Sequence, residues 1–360
     1  MSEKRDGMNW APKAAKPEPV VKPGEFVFAS AFFNHGHING QTTGLIEAGG
    51  ECKWAWDPDS ARLDAFCQAF PGAQRAESYE QILEDPEVKL VTSAAIPSER
   101  CAIGIQALRA GKDYFTDKSP FTTLEQLDEA KAAVKETGRK YMCDYSERLH
   151  NEAAWHAGEL VRGGAIGRVL QILILAPHNL AKKTRPDWFF EKEKYGGILT
   201  DIGSHQFDQF LYFAGAKDAT INFARVENFA NPETPGLEDF GEASLTLDTG
   251  TSCYCRIDWF NPRGHRAWGD GRTFILGTDG FLEVRKYNDL ARDPQESQVI
   301  YLVDHEGEKR IACSGKIGYP FYGQLILDCL NRSENAMTQA HCFKAAELSM
   351  QAQALADAGR

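Results

Sequence analysis

Large apolar side chains in the first 145 residues fall into short continuous runs separated by longer amphipathic stretches. Phe26–Phe32, Glu51–Trp56, Val88–Ala95, Asp113–Thr116 and Lys140–Asp144 read as strands. The intervening stretches His37–Ala48, Ser60–Phe70, Ser78–Leu83, Ser98–Ala110 and Thr123–Glu136 carry apolar residues at helical spacing. Gly111 and Gly138 stand where helices of this kind close. Alternation of this sort predicts a parallel sheet covered on both faces, with right-handed crossovers.

After Tyr145 the texture changes. A helix over Glu152–Arg162 precedes a strand over Arg168–Ala176, and Ile202–Ala214 carries an apolar stripe at helical spacing. Six strand-like runs follow: Ala219–Phe229, Glu242–Leu247, Thr251–Phe260, Arg272–Leu276, Gly280–Arg285 and Gln298–Val303. Turn signals such as Asp248-Thr249-Gly250 and Thr278-Asp279-Gly280 separate them. A mostly antiparallel sheet with helices on one face is expected here. Helices over Phe321–Asn331 and Phe343–Ala358 close the chain. The predicted domains are 26–147 and 148–360, the last helix packing back on the first domain. A Pro/Lys-rich arm over 1–25 precedes them, either free or laid across a neighbouring subunit with Trp10 as its anchor.

A chain of 360 residues has room for two cores. Its net charge of −11 argues against nucleic acid or an anionic membrane as partner. No run reaches the length of a bilayer span, and no secretory h-region opens the sequence. The nine cysteines form no C-x-x-C pair, which fits reduced thiols in the cytoplasm. Cys253 and Cys255 are read as small packing residues on one strand face, and no metal site is expected.

A strand, a turn, a helix and a second strand ending in an acid is the skeleton of a Rossmann unit. The six turn residues are Phe32-Phe33-Asn34-His35-Gly36-His37, with no glycine at the three fingerprint positions. Asn34, at the second fingerprint position, can still take a left-handed conformation. Asp57 ends the second strand, where an acid accepts the adenosine ribose hydroxyls and would repel a 2′-phosphate. NAD is therefore the predicted cofactor, with NADP disfavoured. Phe33, Asn34, His35, Asp57, Ala95, Pro97, Asp117 and Lys118 are its candidate contacts. His35 and His37 flank the turn, as helix caps or as phosphate or substrate contacts.

The second candidate stretch is Gly196-Gly197-Ile198-Leu199-Thr200-Asp201-Ile202-Gly203-Ser204-His205-Gln206-Phe207-Asp208. Asp201 and His205 are four apart, so helix geometry puts them on one face. A carboxylate and an imidazole held together can position a hydroxyl and move its proton. The alternative is an Asp that stabilises the helix dipole beside a surface His. Tyr145, Arg148, His178, Trp188 and Trp259 are candidate substrate-pocket walls, since aromatics with a few polar groups suit a sugar.

Four segments together resemble the Gfo/Idh/MocA family of oxidoreductases, the glucose–fructose oxidoreductase and inositol dehydrogenase group. They are Ala94–Arg100, Ala107–Asp113, Asp117-Lys118-Ser119-Pro120 where the family has Glu-Lys-Pro, and the Gly196–Asp208 stretch. The resemblance implies a Rossmann doubly wound domain followed by an α+β domain with an open-faced sheet. It implies a homo-oligomer, dimer or tetramer, through that sheet. It gives Lys118 as the active-site lysine, Asp201 as a substrate-binding acid and His205 as the proton-transfer residue, both domains contributing to one site. The implied activity is hydride transfer between NAD and a secondary hydroxyl of a sugar, cyclitol or related polyol. Two alternatives stand beside it: tightly held NAD used for transient oxidation in glycoside cleavage or epimerisation, and a non-catalytic ligand sensor. Asp117 in place of Glu, the extra Ser119 and the glycine-poor first turn depart from the family pattern.

Overall fold

The structure is a computed structural model that describes residues 18–290 and 297–359. Most of the predicted arm, including Trp10, lies outside the described residues. The chain forms two compact units. One holds residues up to Asp144 together with Pro320–Phe343; the other holds Tyr145–Tyr319 and the chain from Lys344.

In the first unit six strands build one sheet: β1 (Val27–Ala31), β2 (Glu51–Trp56), β3 (Gln74–Arg75), β4 (Val88–Ser93), β5 (Asp113–Asp117) and β6 (Tyr141–Asp144). Every pairing is parallel and the order is β3-β2-β1-β4-β5-β6. β1 is buried at all five positions because helices cover both faces, which is why its sequence shows no alternation. Local signals set the helix ends. Asp59 accepts from Ala61 N and Arg62 N, Ser78 from Gln81 N, and Thr123 from Gln126 N. Gly138 closes the helix Leu124–Thr137 at φ 65°.

Two predicted boundaries move. Residues 18–25, assigned to the arm, are tied to this unit, Val20 N donating to Ala48 O at 2.9 Å. The helix Pro320–Asn331, assigned to the second domain, also belongs here. Its Tyr322 ring fills the space left by Gly44, where a Cβ would lie 2.6 Å from the ring, and Phe321 packs on Phe115. Only tertiary packing reveals this return of the chain.

The second unit carries an eight-stranded sheet of β7 (Val169–Pro177), β8 (Ala219–Glu227), β9 (Phe240–Leu247), β10 (Ser252–Asp258), β11 (Arg272–Gly277), β12 (Gly280–Arg285), β13 (Val299–Asp304) and β14 (Gly307–Ala312). The order is β14-β13-β12-β11-β7-β10-β9-β8, antiparallel except where β7 lies parallel to β10. Helix Gly203–Ala214 packs on β7, β9 and β10, while Glu152–Arg162 packs on β12 and β13. Inward residues Ile172, Ile174, Ile275 and Leu282 are fully buried, and so is Cys255, with Cys253 close behind. Their outward neighbours Leu276 and Phe281 are nearly half exposed and sit opposite each other in register. β14 went unrecognised because an edge strand with only one neighbour buries little, and Gly-Glu-Lys-Arg-Ile-Ala shows no apolar alternation.

Candidate functional site

In a sheet of order 3-2-1-4-5-6, ligands bind outside the carboxyl ends of the strands where the order reverses. The first unit gathers its candidates at those ends. Phe32 N donates to Trp56 O, Ala94 N to Phe32 O and His35 N to Ala94 O, so the turn after β1 is stitched to both neighbouring strands. The left-handed residue of this turn is Phe32, at φ 59°, and not Asn34. Its ring packs edge-on against Trp56 and Tyr79, each with centroids 5.0 Å away, and that packing holds a conformation costing about 1–3 kcal/mol.

Asp57 is buried and already engaged. Its Oδ2 accepts from Phe33 N at 2.5 Å, while Oδ1 accepts from Asp59 N, Arg62 Nε and Arg62 Nη2 at 2.8, 3.0 and 2.9 Å. Oδ2 keeps a lone pair for a hydroxyl. The Arg62 guanidinium offsets the Asp57 charge that would repel a 2′-phosphate.

At the end of β5, Asp117 is fully buried. Its Oδ1 takes His37 Nδ1 at 2.9 Å and Lys118 N at 2.8 Å; Oδ2 faces His35 Nδ1 at 3.5 Å and Arg100 Nη2 at 3.3 Å. Burial raises the Asp117 carboxyl, but His37, Arg100 and His35 outweigh it and hold it well below the usual range. Burial, helped by His37, Lys118 and Arg100 and opposed by Asp117, keeps His35 well below an ordinary imidazole. His35 acts as a cap through its ring, Nδ1 accepting from His37 N at 3.2 Å. His37 does not cap, since its ring goes to Asp117.

Arg100, for which the sequence suggested no role, is the knot of this region. Its Nη1 donates to the carbonyls of Asp117, Lys118 and Ser119, and its Nε to Ala95 O at 2.8 Å. The loop carrying Lys118, itself buried, is thereby fixed to the loop after β4, where Ala95 and Pro97 are buried.

In the second unit, Gly196 and Gly197 take φ 87° and 91°, as a turn of this kind requires. A Cβ on Gly197 would lie 2.3 Å from the Gln353 amide carbon. Leu199 N donates to Gln353 Oε1 and Ile198 N to Glu238 Oε2, which anchors the turn on both sides. Helical residues begin at Ile198, four before the predicted start. Ile202 keeps right-handed helical angles between Ile198–Asp201 and Gly203–Ala214, so Asp201 and His205 do share a face. Both are buried, which removes the surface-histidine alternative.

Around them lies a buried polar network. Glu147 Oε2 accepts from Lys286 Nζ at 2.5 Å and Gln206 Nε2 at 2.9 Å, and Oε1 faces His178 Nε2 at 3.5 Å. Gln209 links Lys286 Nζ at 3.2 Å to the His205 carbonyl at 2.9 Å. Burial pushes the Glu147 carboxyl up, yet Lys286, His205 and His178 prevail and hold it at about 2.

Of the proposed pocket walls, His178 and Trp259 come together, ring centroids 5.4 Å apart, with Trp268 4.4 Å from His178. Trp188 joins through Phe189, which packs on both Trp188 and Trp259. Tyr145 stands edge-on to His205 at 6.5 Å. Arg148 is committed elsewhere: its Nε and Nη2 grip Asp208 at 2.7 and 2.6 Å, and the guanidinium lies 4.0 Å over Tyr212. Two oppositely charged side chains buried together satisfy each other, and that pairing takes Arg148's donors inward.

Residues 29–145 match the sequence model described as an oxidoreductase family with NAD-binding Rossmann fold, and residues 155–283 match the GFO/IDH/MocA C-terminal domain. The chain belongs to the Gfo/Idh/MocA oxidoreductase family. A crystal structure from Erwinia carotovora atroseptica SCRI1043, of a protein classed with the oxidoreductases, is 45% identical. It has a TM-score of 0.89, over 92% of this chain and 99% of that one. Scyllo-inositol 2-dehydrogenase (NAD(+)) of Bacillus subtilis is 26% identical over 63% of this chain; the match spans 64% of the relative's length. 1,5-anhydro-D-fructose reductase of Ensifer adhaerens is 26% identical over 83% of this chain and 82% of its own.

Within this Gfo/Idh/MocA chain, sequence reasoning missed Arg100, Glu147, Lys286 and Gln209. Glu147 stands two residues after Tyr145 and Gln209 one helical turn after His205, so their neighbourhood was the available signal. Lys286 directly follows β12 and carried none. No described helix is long and apolar enough to cross a membrane.

Proposed function

We propose that this chain transfers a hydride between a nicotinamide dinucleotide, NAD by preference, and a secondary hydroxyl of a sugar, cyclitol or related polyol. One observation carries the reading. The first turn, Asp57, the Ala95–Pro97 loop and Lys118 all stand at the carboxyl ends of a 3-2-1-4-5-6 parallel sheet, the dinucleotide position of such a fold. The Phe33 and Asn34 backbone and Asp57 Oδ2 would hold the dinucleotide, the first at its pyrophosphate and the second at a ribose hydroxyl. The dinucleotide supplies the hydride acceptor when bound.

Oxidation of an alcohol also needs a base for the hydroxyl proton. His205 takes that proton, Asp201 orients a neighbouring hydroxyl, and Lys118 stabilises negative charge developing on oxygen. Trp188 and Trp259 supply apolar walls for a sugar ring, with the His178 imidazole beside them. The apolar patch of exposed Leu276 and Phe281 with half-buried Leu173 and Phe274, on β7, β11 and β12, supports self-association through the sheet. A solution mass of one chain would refute that part. The protein is expected to work in the cytoplasm, its nine cysteines free.

The test is reduced-nicotinamide absorbance on a polyol panel with NAD and with NADP. Lys118→Ala and His205→Ala should each lower the rate at least about a hundredfold, the usual range for acid–base groups, with circular dichroism unchanged. Full activity in both variants refutes the assignment.

A further inference from the structure

In the turn that normally carries a glycine fingerprint, this chain places two imidazoles, His37 at the last glycine position and His35 two before it, and closes them on a carboxylate. His35 and His37 come from the turn after β1, and Asp117 from the end of β5, eighty residues on. Their ligand-type atoms all lie within 4.8 Å of one another. His37 Nδ1 stands 2.9 Å from Asp117 Oδ1, and His35 Nδ1 3.5 Å from Asp117 Oδ2. The two rings meet at 65° with centroids 4.0 Å apart. Around a tetrahedral zinc with bonds of about 2.0–2.1 Å, ligand atoms are separated by roughly 3.3 Å. The two measured contacts bracket that value.

Hydrogen-bond bookkeeping points the same way. His35 Nδ1 accepts from His37 N at 3.2 Å, so its lone pair faces into the cluster. The same atom faces a carboxylate oxygen, which only accepts. Each has one donor, the His37 N–H on Nδ1 and Arg100 Nη2 on Oδ2, and a cation between the two acceptors would bind both. We propose that His35, His37 and Asp117 form a binding site for one divalent transition-metal ion, with zinc as the representative case. Two imidazoles and one carboxylate are a ligand set that suits zinc or ferrous iron and leaves coordination positions open.

The surrounding charges define what fills those positions. Arg100 touches Asp117 Oδ2, and Lys118 follows Asp117 directly; both are buried. With Asp117 at −1 and these two at +1 each, a dication is held alongside excess positive charge. The open positions therefore take an anionic oxygen ligand such as hydroxide or phosphate. Arg100 and the Lys118 backbone N–H serve as outer-shell donors that orient the carboxylate. The ion would displace the His37 N–H from His35 Nδ1 and the Nδ1 proton from His37.

The site is read out by metal alone, so its test does not depend on the nicotinamide reading. Full-length chain is stripped with a chelator, dialysed against zinc and assayed by elemental analysis. Cobalt(II) titration, with the visible d–d bands of a low-coordinate site, provides a second readout. One ion per chain is expected. His35→Ala and His37→Ala should each weaken binding at least tenfold while circular dichroism is unchanged. His37→Gln keeps the turn's volume and should weaken binding as well, which separates ligand loss from misfolding. Fewer than about 0.2 ions per chain, or unchanged binding in both alanine variants, overturns the proposal. Loss of metal with NAD binding intact by calorimetry, or the reverse, shows which of the two readings has failed.

Discussion

Replacing Lys286 by Met tests the buried network of the second unit. Lys286 is fully buried, its Nζ shared between Glu147 Oε2 and Gln209 Oε1. Met keeps the volume and removes the charge. Glu147, about as deeply buried, then keeps Gln206 and His178 but loses its closest cation. Breaking a buried pair from one side typically costs about 3–5 kcal/mol. The carboxyl pKa gives an independent measure. Its fall from 4.5 to about 2 corresponds to about 3 kcal/mol of preference for the ionised form in the folded state.

The sign follows from which state binds the proton more readily. The unfolded carboxyl protonates near 4.5, the folded one near 2. The stabilisation is complete above 4.5 and disappears as pH falls toward 2. Guanidinium titrations at pH 7 and pH 3, followed by tryptophan fluorescence, measure both limits. Lys286→Met should be several kcal/mol less stable at pH 7, with a clearly smaller deficit at pH 3. Glu147→Gln combined with Lys286→Met should recover most of the loss, because no uncompensated charge remains. A deficit under about 1 kcal/mol at pH 7, or one equally large at pH 3, would refute the reasoning.

Two other substitutions probe the turns that carry the candidate residues. Gly197→Ala places a Cβ 2.3 Å from the Gln353 amide carbon at φ 91°, and should lower stability by about 1–3 kcal/mol in thermal unfolding. An unchanged melting temperature would show that this turn is not held as described. Arg100→Met strips the donor from the carbonyls of Ala95, Asp117, Lys118 and Ser119, and should cost about 3–5 kcal/mol. Arg100→Lys should recover only part, since a single ammonium cannot span the same acceptors; full recovery would argue against the clamp.

Much of this protein was legible along the chain because its determinants are local. Continuous apolar runs marked the strands buried on two faces, and strand-like runs separated by turn signals marked those of the second sheet. Ser78, Thr123 and Gly138 fixed helix ends through hydrogen bonds or dihedral angles within a few residues of themselves. Asp201 and His205 share a face by helix periodicity alone. What only the tertiary structure decided is interaction between residues far apart in sequence. Phe32 holds a left-handed conformation because Trp56 and Tyr79 enclose its ring, while Asn34, the better local candidate, does not need to. Glu147 and Lys286 are 139 residues apart, and neither predicts the other until β12 and the chain after β6 are brought together. His35, His37 and Asp117 meet because β1 and β5 flank β4 in the same parallel sheet. Local sequence carries the period of an element and its ends. The charges and ring faces that an element meets are set by strand order and packing.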